Sequence, residues 1–173
     1  SVADLPTALF VPGAHLHLSG FSFLHDGARE AALTALRLAG EQGMTRSVDP
    51  GAMSVVTDVG AERLRSWLRG VDLLLPNEDE ARLLAGVDDP IEAAEVLADG
   101  IGAVVVKLGE DGAAWTDGSS TVHGPAETVP VLDTTGAGDA FAAGCLTRWL
   151  VDRQPDAALE AAEPEAAIHI LDG

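Results

Sequence analysis

An α/β fold, a mainly parallel sheet with helices on its faces, is predicted by three observations. Apolar runs of strand length recur along the chain, and stretches with helical periodicity alternate with them. Glycine and proline punctuate the junctions, at Gly43, Pro50-Gly51 and Pro76. The 173 residues, 47% hydrophobic and 22% charged, suit one domain with a sizeable core.

The elements follow in order. Residues 15–19 read as a strand leading to Gly20. Residues 28–42 form an amphipathic helix with Ala32, Leu33, Leu36 and Ala39 or Gly40 on one side, and Gly43 ends it. A short strand at 47–49 is closed by Pro50-Gly51, a helix occupies 61–69, and a buried strand at 71–75 is stopped by Pro76. Residues 77–85 and 91–98 are two helices separated by Gly86 and the Asp88-Asp89-Pro90 turn. A strand at 103–107 turns through 108–112 into a strand at 113–116, and Asp117-Gly118 opens a hairpin toward 121–123. A last helix runs from about 136 to 151. Beyond it, residues 153–173 are acidic, alanine-rich and interrupted by Pro155 and Pro164.

Charge narrows the function. With 28 acidic against 10 basic residues, the formal charge is −18, which repels nucleic acid and anionic membrane surfaces. A bound nucleotide must therefore be held largely by backbone amides, helix ends and metal ions; Lys107 is the sole lysine. The single Cys145 forms no internal disulfide, and the start shows no basic segment followed by an apolar one, so a reducing cytoplasm is expected. No apolar run approaches the roughly 20 residues a membrane span needs.

The chemistry concentrates at Asp133-Thr134-Thr135-Gly136-Ala137-Gly138-Asp139. Gly136 and Gly138 let consecutive N–H groups converge on one oxygen-rich group. The start of the following helix adds amides without internal partners and the positive end of its dipole. Asp139 stands in that first turn, where its carboxylate stays ionised and can take a proton from an alcohol beside a bound phosphoryl group. A well-capped helix packed against a strand fits the same residues. Two nucleotide signatures are excluded: a dinucleotide fingerprint needs Gly where Phe141 stands, and no Gly-x-x-x-x-Gly-Lys-Ser/Thr occurs.

One further segment lies where ligands of open α/β sheets gather. Asn77 and Glu80 follow the 71–75 strand. Their spacing also satisfies a capping box, Asn accepting from a first-turn amide and Glu reaching back. Residues 104–112, Val-Val-Val-Lys-Leu-Gly-Glu-Asp-Gly, place Lys107, Gly109 and Gly112 at a strand end and turn; an ordinary glycine hairpin with a solvated lysine fits equally. The five histidines form no metal cluster. His15 and His17 are read as facing alternate sides of one strand and receive no chemistry. Cys145, Phe141 and Trp149 read as packing.

Residues 133–144 resemble the carboxy-terminal signature of the PfkB/ribokinase family of small-molecule kinases, Asp-Thr-x-Gly-Ala-Gly-Asp. The resemblance implies a ribokinase-like three-layer αβα sandwich with a mainly parallel sheet. It implies an anion hole for the transferred phosphoryl group at Gly136, Ala137 and Gly138, with Asp139 as catalytic base and Thr135 beside the nucleotide. The Asn-x-x-Glu element, a second family motif, implies that Asn77 and Glu80 serve the magnesium and phosphate network. The segment holding Lys107, Gly109 and Gly112 resembles the family's nucleotide-side strand and loop. Asp133 matches a region that forms a K⁺ site in many relatives, although turn stabilisation explains it as well.

The expected activity is ATP- and Mg²⁺-dependent phosphorylation of a hydroxyl on a sugar or sugar-like molecule, in a cytoplasmic protein that forms a homodimer. The likeness runs over about 15–150 and matches the carboxy-terminal, nucleotide-binding part of the family's domain. The amino-terminal strands, sugar-contacting residues and β lid have no match, so 1–173 is expected to be part of a longer protein. A non-catalytic remnant or interaction module retaining the nucleotide half-site is the alternative. Glu163-Pro164-Glu165 stands where relatives have a helix lining the adenine pocket, and proline inside a helix costs roughly 3 kcal/mol.

Overall fold

In the computed structural model, which describes residues 1–126, 136–160 and 162, the alternating runs become six strands in one sheet, ordered β1 to β6 as in the chain. These are β1 (His15–Ser19), β2 (Thr45–Asp49), β3 (Leu73–Leu74), β4 (Val104–Lys107), β5 (Ala113–Thr116) and β6 (Thr121–Gly124). The first four are mutually parallel, with His17 opposite Ser47, Ser47 opposite Leu73 and Leu74 opposite Val104. The β4–β5 and β5–β6 pairs are antiparallel. Between the parallel strands run α1 (Asp26–Glu41), α2 (Met53–Val59), α3 (Ala61–Leu68), α4 (Glu78–Ala85) and α5 (Pro90–Ala98), and α6 (Ala137–Asp152) follows the sheet.

The period-2 alternation of strand side chains builds three layers. Leu74, Val104, Val106 and Ala114 turn to one face and bury with apolar residues of α1 to α5. Their neighbours Leu73, Leu75, Val105 and Trp115 turn to the other and bury with Phe141, Ala142, Cys145 and Trp149 of α6. Strands covered on both sides read as unbroken apolar runs, which is why 71–75 and 103–107 stood out in the sequence.

Three expectations need correction. Residues 53–59, for which no element is predicted, form α2, whose Val55, Val56 and Val59 are buried. Gly60, at φ 91°, then separates α2 from α3. Of the 71–75 run only Leu73–Leu74 forms the regular strand, with Asp72 N and Leu75 N extending its bonds to Arg46 O and Val48 O. His15 and His17 do not face opposite sides. Two residues apart on one strand, they share the α6 face, where His15 meets the Trp149 ring edge-on at 6.3 Å. Among the described residues no helix is long and apolar enough to cross a membrane.

Candidate active site

Parallel pairing brings the carboxyl ends of β2, β3 and β4 to one edge, and the sequence sets a polar residue at each: Asp49, Asn77 just past β3, and Lys107. Asn77 and Lys107 are tied directly, since Lys107 N donates to Pro76 O at 2.9 Å and the two residues form an isolated parallel bridge.

The capping box is formed in full. Asn77 Oδ1 accepts from Glu80 N at 2.9 Å, and Glu80 Oε2 accepts from Asn77 N at 2.9 Å. Glu80 is nevertheless only 1% exposed, unusual for a helix-start carboxylate. Burial raises its pKa, opposed by the Asn77 amide and the Lys107 charge and reinforced by Asp49 and Asp79. It is a buried carboxyl whose ionised form gains from a nearby cation.

Lys107 is not a solvated strand end. Its Nζ donates to Asp49 Oδ2 at 2.7 Å, with side-chain exposures of 15% and 10%. The other Asp49 oxygen accepts from Gly51 N at 2.9 Å, which fixes the carboxylate in the Asp-Pro-Gly turn.

α6 begins at the same edge. Gly136 caps it in the left-handed region, φ 82°, which glycine adopts without strain. Ala140 N donates to Gly136 O at 2.9 Å, so the amides of Ala137, Gly138 and Asp139 precede the first intrahelical bond. A β-carbon placed on Gly138 would stand 3.6 Å from Lys107 Nζ. The ammonium therefore lies beside the amide-bearing turn, and the Asp139 side chain is exposed next to it.

The glycines of the β4–β5 turn have local explanations. Gly109 takes φ 60° in a tight turn over Gly109–Asp111, and a β-carbon on Gly112 would fall 2.1 Å from Gly124 O. Thr135 and Asp133 lie outside the described residues, as does the 163–165 segment.

Sequence reasoning missed Asp49, His17 and Ser47. His17 Nδ1 and His15 Nε2 both bond the buried Ser47 Oγ, at 2.7 and 2.8 Å, and His15 Nδ1 reaches Thr45 Oγ1 at 2.8 Å. Burial lowers the pKa of His17, while Asp49 and Asp139 pull it upward. Asp49 had a readable signal: it ends an internal strand of a parallel sheet, the same edge that drew attention to Asn77. Cys145 is buried, and burial pushes its thiol up to about 12, consistent with packing.

An open α/β sheet that brings a helix start, a lysine and carboxylates together at its carboxyl edge is an arrangement suited to holding a phosphate. Residues 3–172 match the model of the pfkB family carbohydrate kinases, and the chain belongs to that family. It is 39% identical over 156 residues to the ATP-dependent ribose-1-phosphate kinase of Halopiger xanaduensis, covering 89% of this chain and 47% of that protein. The fold is ribokinase-like. Adenosine kinase from Sinorhizobium meliloti superposes with a TM-score of 0.91 at 25% identity, covering 98% of this chain and 53% of the other. Aminoimidazole riboside kinase from Salmonella enterica, solved with aminoimidazole riboside and an ATP analog, gives 0.81 at 31% identity, covering 96% and 57%. The chain thus spans about half the length of the relatives it matches.

Proposed function

We propose that this chain is the nucleotide-binding part of an ATP-dependent carbohydrate kinase that phosphorylates a hydroxyl of a sugar or sugar-like molecule. The observation that carries this reading is the start of α6, where three amides precede the first intrahelical bond, Lys107 Nζ lies alongside Gly138, and Asp139 stands exposed. Asp139 takes the proton from the acceptor hydroxyl. The amides of Gly136 to Gly138 hold the transferring phosphoryl group where negative charge gathers. Gly109, Gly112 and Thr135 line the nucleotide side.

Magnesium fits the residues present. Glu80 is a buried carboxyl favoured by positive charge, and Asp49 and Glu80 face one ammonium. Among the described residues no group of three His, Cys, Asp or Glu side chains could hold a metal alone. Mg²⁺ is commonly bound mainly through phosphate oxygens and water, and Asn77, Glu80 and Asp133 would orient its shell. Such an ion supplies charge neutralisation at the phosphates. The same Asp133 region is assigned to K⁺. The protein is proposed to act in the cytoplasm as a homodimer.

The test is ATP consumption by the full-length protein against a panel of sugars, sugar acids and nucleosides, with Asp139→Asn beside it. A loss of at least about 10²- to 10³-fold in kcat is expected, comparable to removing one oxyanion donor in acyl transfer. Near wild-type turnover in Asp139→Asn would remove the base from its role.

A further inference from the structure

We propose that Asp49 is a positioning residue: its carboxylate holds the Lys107 ammonium beside the start of α6, where it binds a nucleotide phosphate, and keeps it from pairing with Asp139. The inference rests on the kinase reading of the α6 site and assigns a role to a residue that no motif marked.

The geometry comes from both ends of the pair. Asp49 and Lys107 are 58 positions apart and end two different strands, yet Nζ and Oδ2 are 2.7 Å apart. The Lys107 backbone is pinned by its bond to Pro76 O and its register with Asn77. The Asp49 carboxylate is held by Gly51 N, and its turn is seated by the close approach of Gly20 to Pro50, where a β-carbon would fall 2.1 Å from the Pro50 carbonyl oxygen. A fixed acceptor thus meets a fixed stem. Only the four-carbon side chain between them is free to move, and the ion pair stops it.

The chemistry needs such a restraint. An ammonium on a lysine stem is a flexible point charge with three donors, so it can keep Asp49 on one and offer the others to a phosphate. Lys107 enters the electrostatics of Glu80, and both Lys107 and Asp139 enter those of His17. Freed from Asp49, the ammonium would move to the carboxylates that the proposed reaction uses. A salt bridge to Asp139 would tie up the base and withdraw the cation from the phosphate together.

The experiment uses the full-length protein and reads ATP affinity by calorimetric titration, which requires no turnover. Asp49→Asn is expected to weaken MgATP at least tenfold, and Asp49→Glu to restore affinity to within about threefold. In a Lys107→Met background, adding Asp49→Asn is expected to change ATP affinity less than twofold, because the residue acts only through the lysine. That comparison and the Asp49→Glu variant carry the test should Asp49→Asn alone fail to fold. In parallel, mass spectrometry of the Lys107 peptide follows its acetylation, expected to be protected by MgATP in the wild type. Unchanged ATP affinity in Asp49→Asn, an undiminished effect in the Lys107→Met background, or no protection of Lys107 overturns the inference. Failure of the kinase reading shows separately, as intact ATP binding without phosphate transfer to any alcohol.

Discussion

Asn77 and Glu80 exchange hydrogen bonds reciprocally at 2.9 Å, yet the carboxyl that closes the box is almost wholly buried. Capping alone would be served as well by an exposed Glu or by Gln. Glu80→Gln keeps an acceptor for the Asn77 amide and removes a charge that burial disfavours. The sign is definite. Glu80 has a raised folded pKa, so its contribution is fully present below about 4.5 and is lost as pH rises through the folded value. At neutral pH, Glu80→Gln should therefore unfold at or above the wild-type temperature while phosphate transfer falls by about 10²-fold, the order expected for losing one electrostatic contact in the transition state. Asn77→Ala, which removes the cap itself, should cost about 1 kcal/mol in urea unfolding.

Much of the fold was legible because its signals are local. β1, α4 and the β4–β5–β6 hairpins follow from strand-length apolar runs and from Pro76, Gly86 and Asp117-Gly118, residues whose backbone preferences act within a few positions. The 53–59 helix was not legible, since its start carries no side-chain cap and its valines favour strands. In the site, Asn77, Glu80 and Gly136 to Asp139 could be found from spacing. Asp49 was readable as a strand-end carboxylate, but its pairing with Lys107 was not: the partner lies 58 residues away, and the pair exists only once β2 and β4 are placed in the sheet around β3. The same holds for Glu80, whose cap is visible in the sequence and whose burial is not.

Gly138→Ala separates folding from function at the start of α6. Gly138 is helical, outside the left-handed region, and among the described residues a β-carbon there meets Lys107 Nζ, at an ordinary 3.6 Å. Alanine is the better helix former by up to about 1 kcal/mol. Thermal unfolding should thus be unchanged or shifted upward. The added methyl stands between the ammonium and the amides, so kcat/KM for ATP in the full-length protein should drop at least about tenfold, roughly 1.4 kcal/mol. An active Gly138→Ala would show that no phosphate passes this turn.

Gly20→Ala tests the seating of the Asp49 turn. Its β-carbon would meet Pro50 O at 2.1 Å, Pro50 C at 2.7 Å and Pro50 Cα at 3.0 Å, all backbone atoms that yield only if the chain moves. Overpacking of this kind typically costs about 1–3 kcal/mol. Urea denaturation should show a lower midpoint with an unchanged slope. Because Pro50 follows Asp49 directly, the displacement should also weaken ATP binding. A fall in stability with ATP affinity intact would mean that the turn tolerates movement without disturbing Lys107.

The histidine pair is expected to give the chain a stability that fades in mild acid. Burial lowers His15 from 6.5 to about 4, reinforced by His17 and Arg153 and opposed by Asp72, and His17 shifts in the same direction. A histidine with a depressed folded pKa is neutral in the native state while the unfolded chain already binds a proton. Stability is therefore present above about 6.5 and is lost progressively as pH falls toward about 4, below which no more is lost from this group. The ring is partly open to solvent, so the loss is discounted for screening to about 1–2 kcal/mol. His15→Gln, which keeps a polar side chain toward Thr45 and Ser47 without titrating, should flatten the unfolding temperature between pH of about 6.5 and about 4. An undiminished acid slope in that variant would move its origin to other groups.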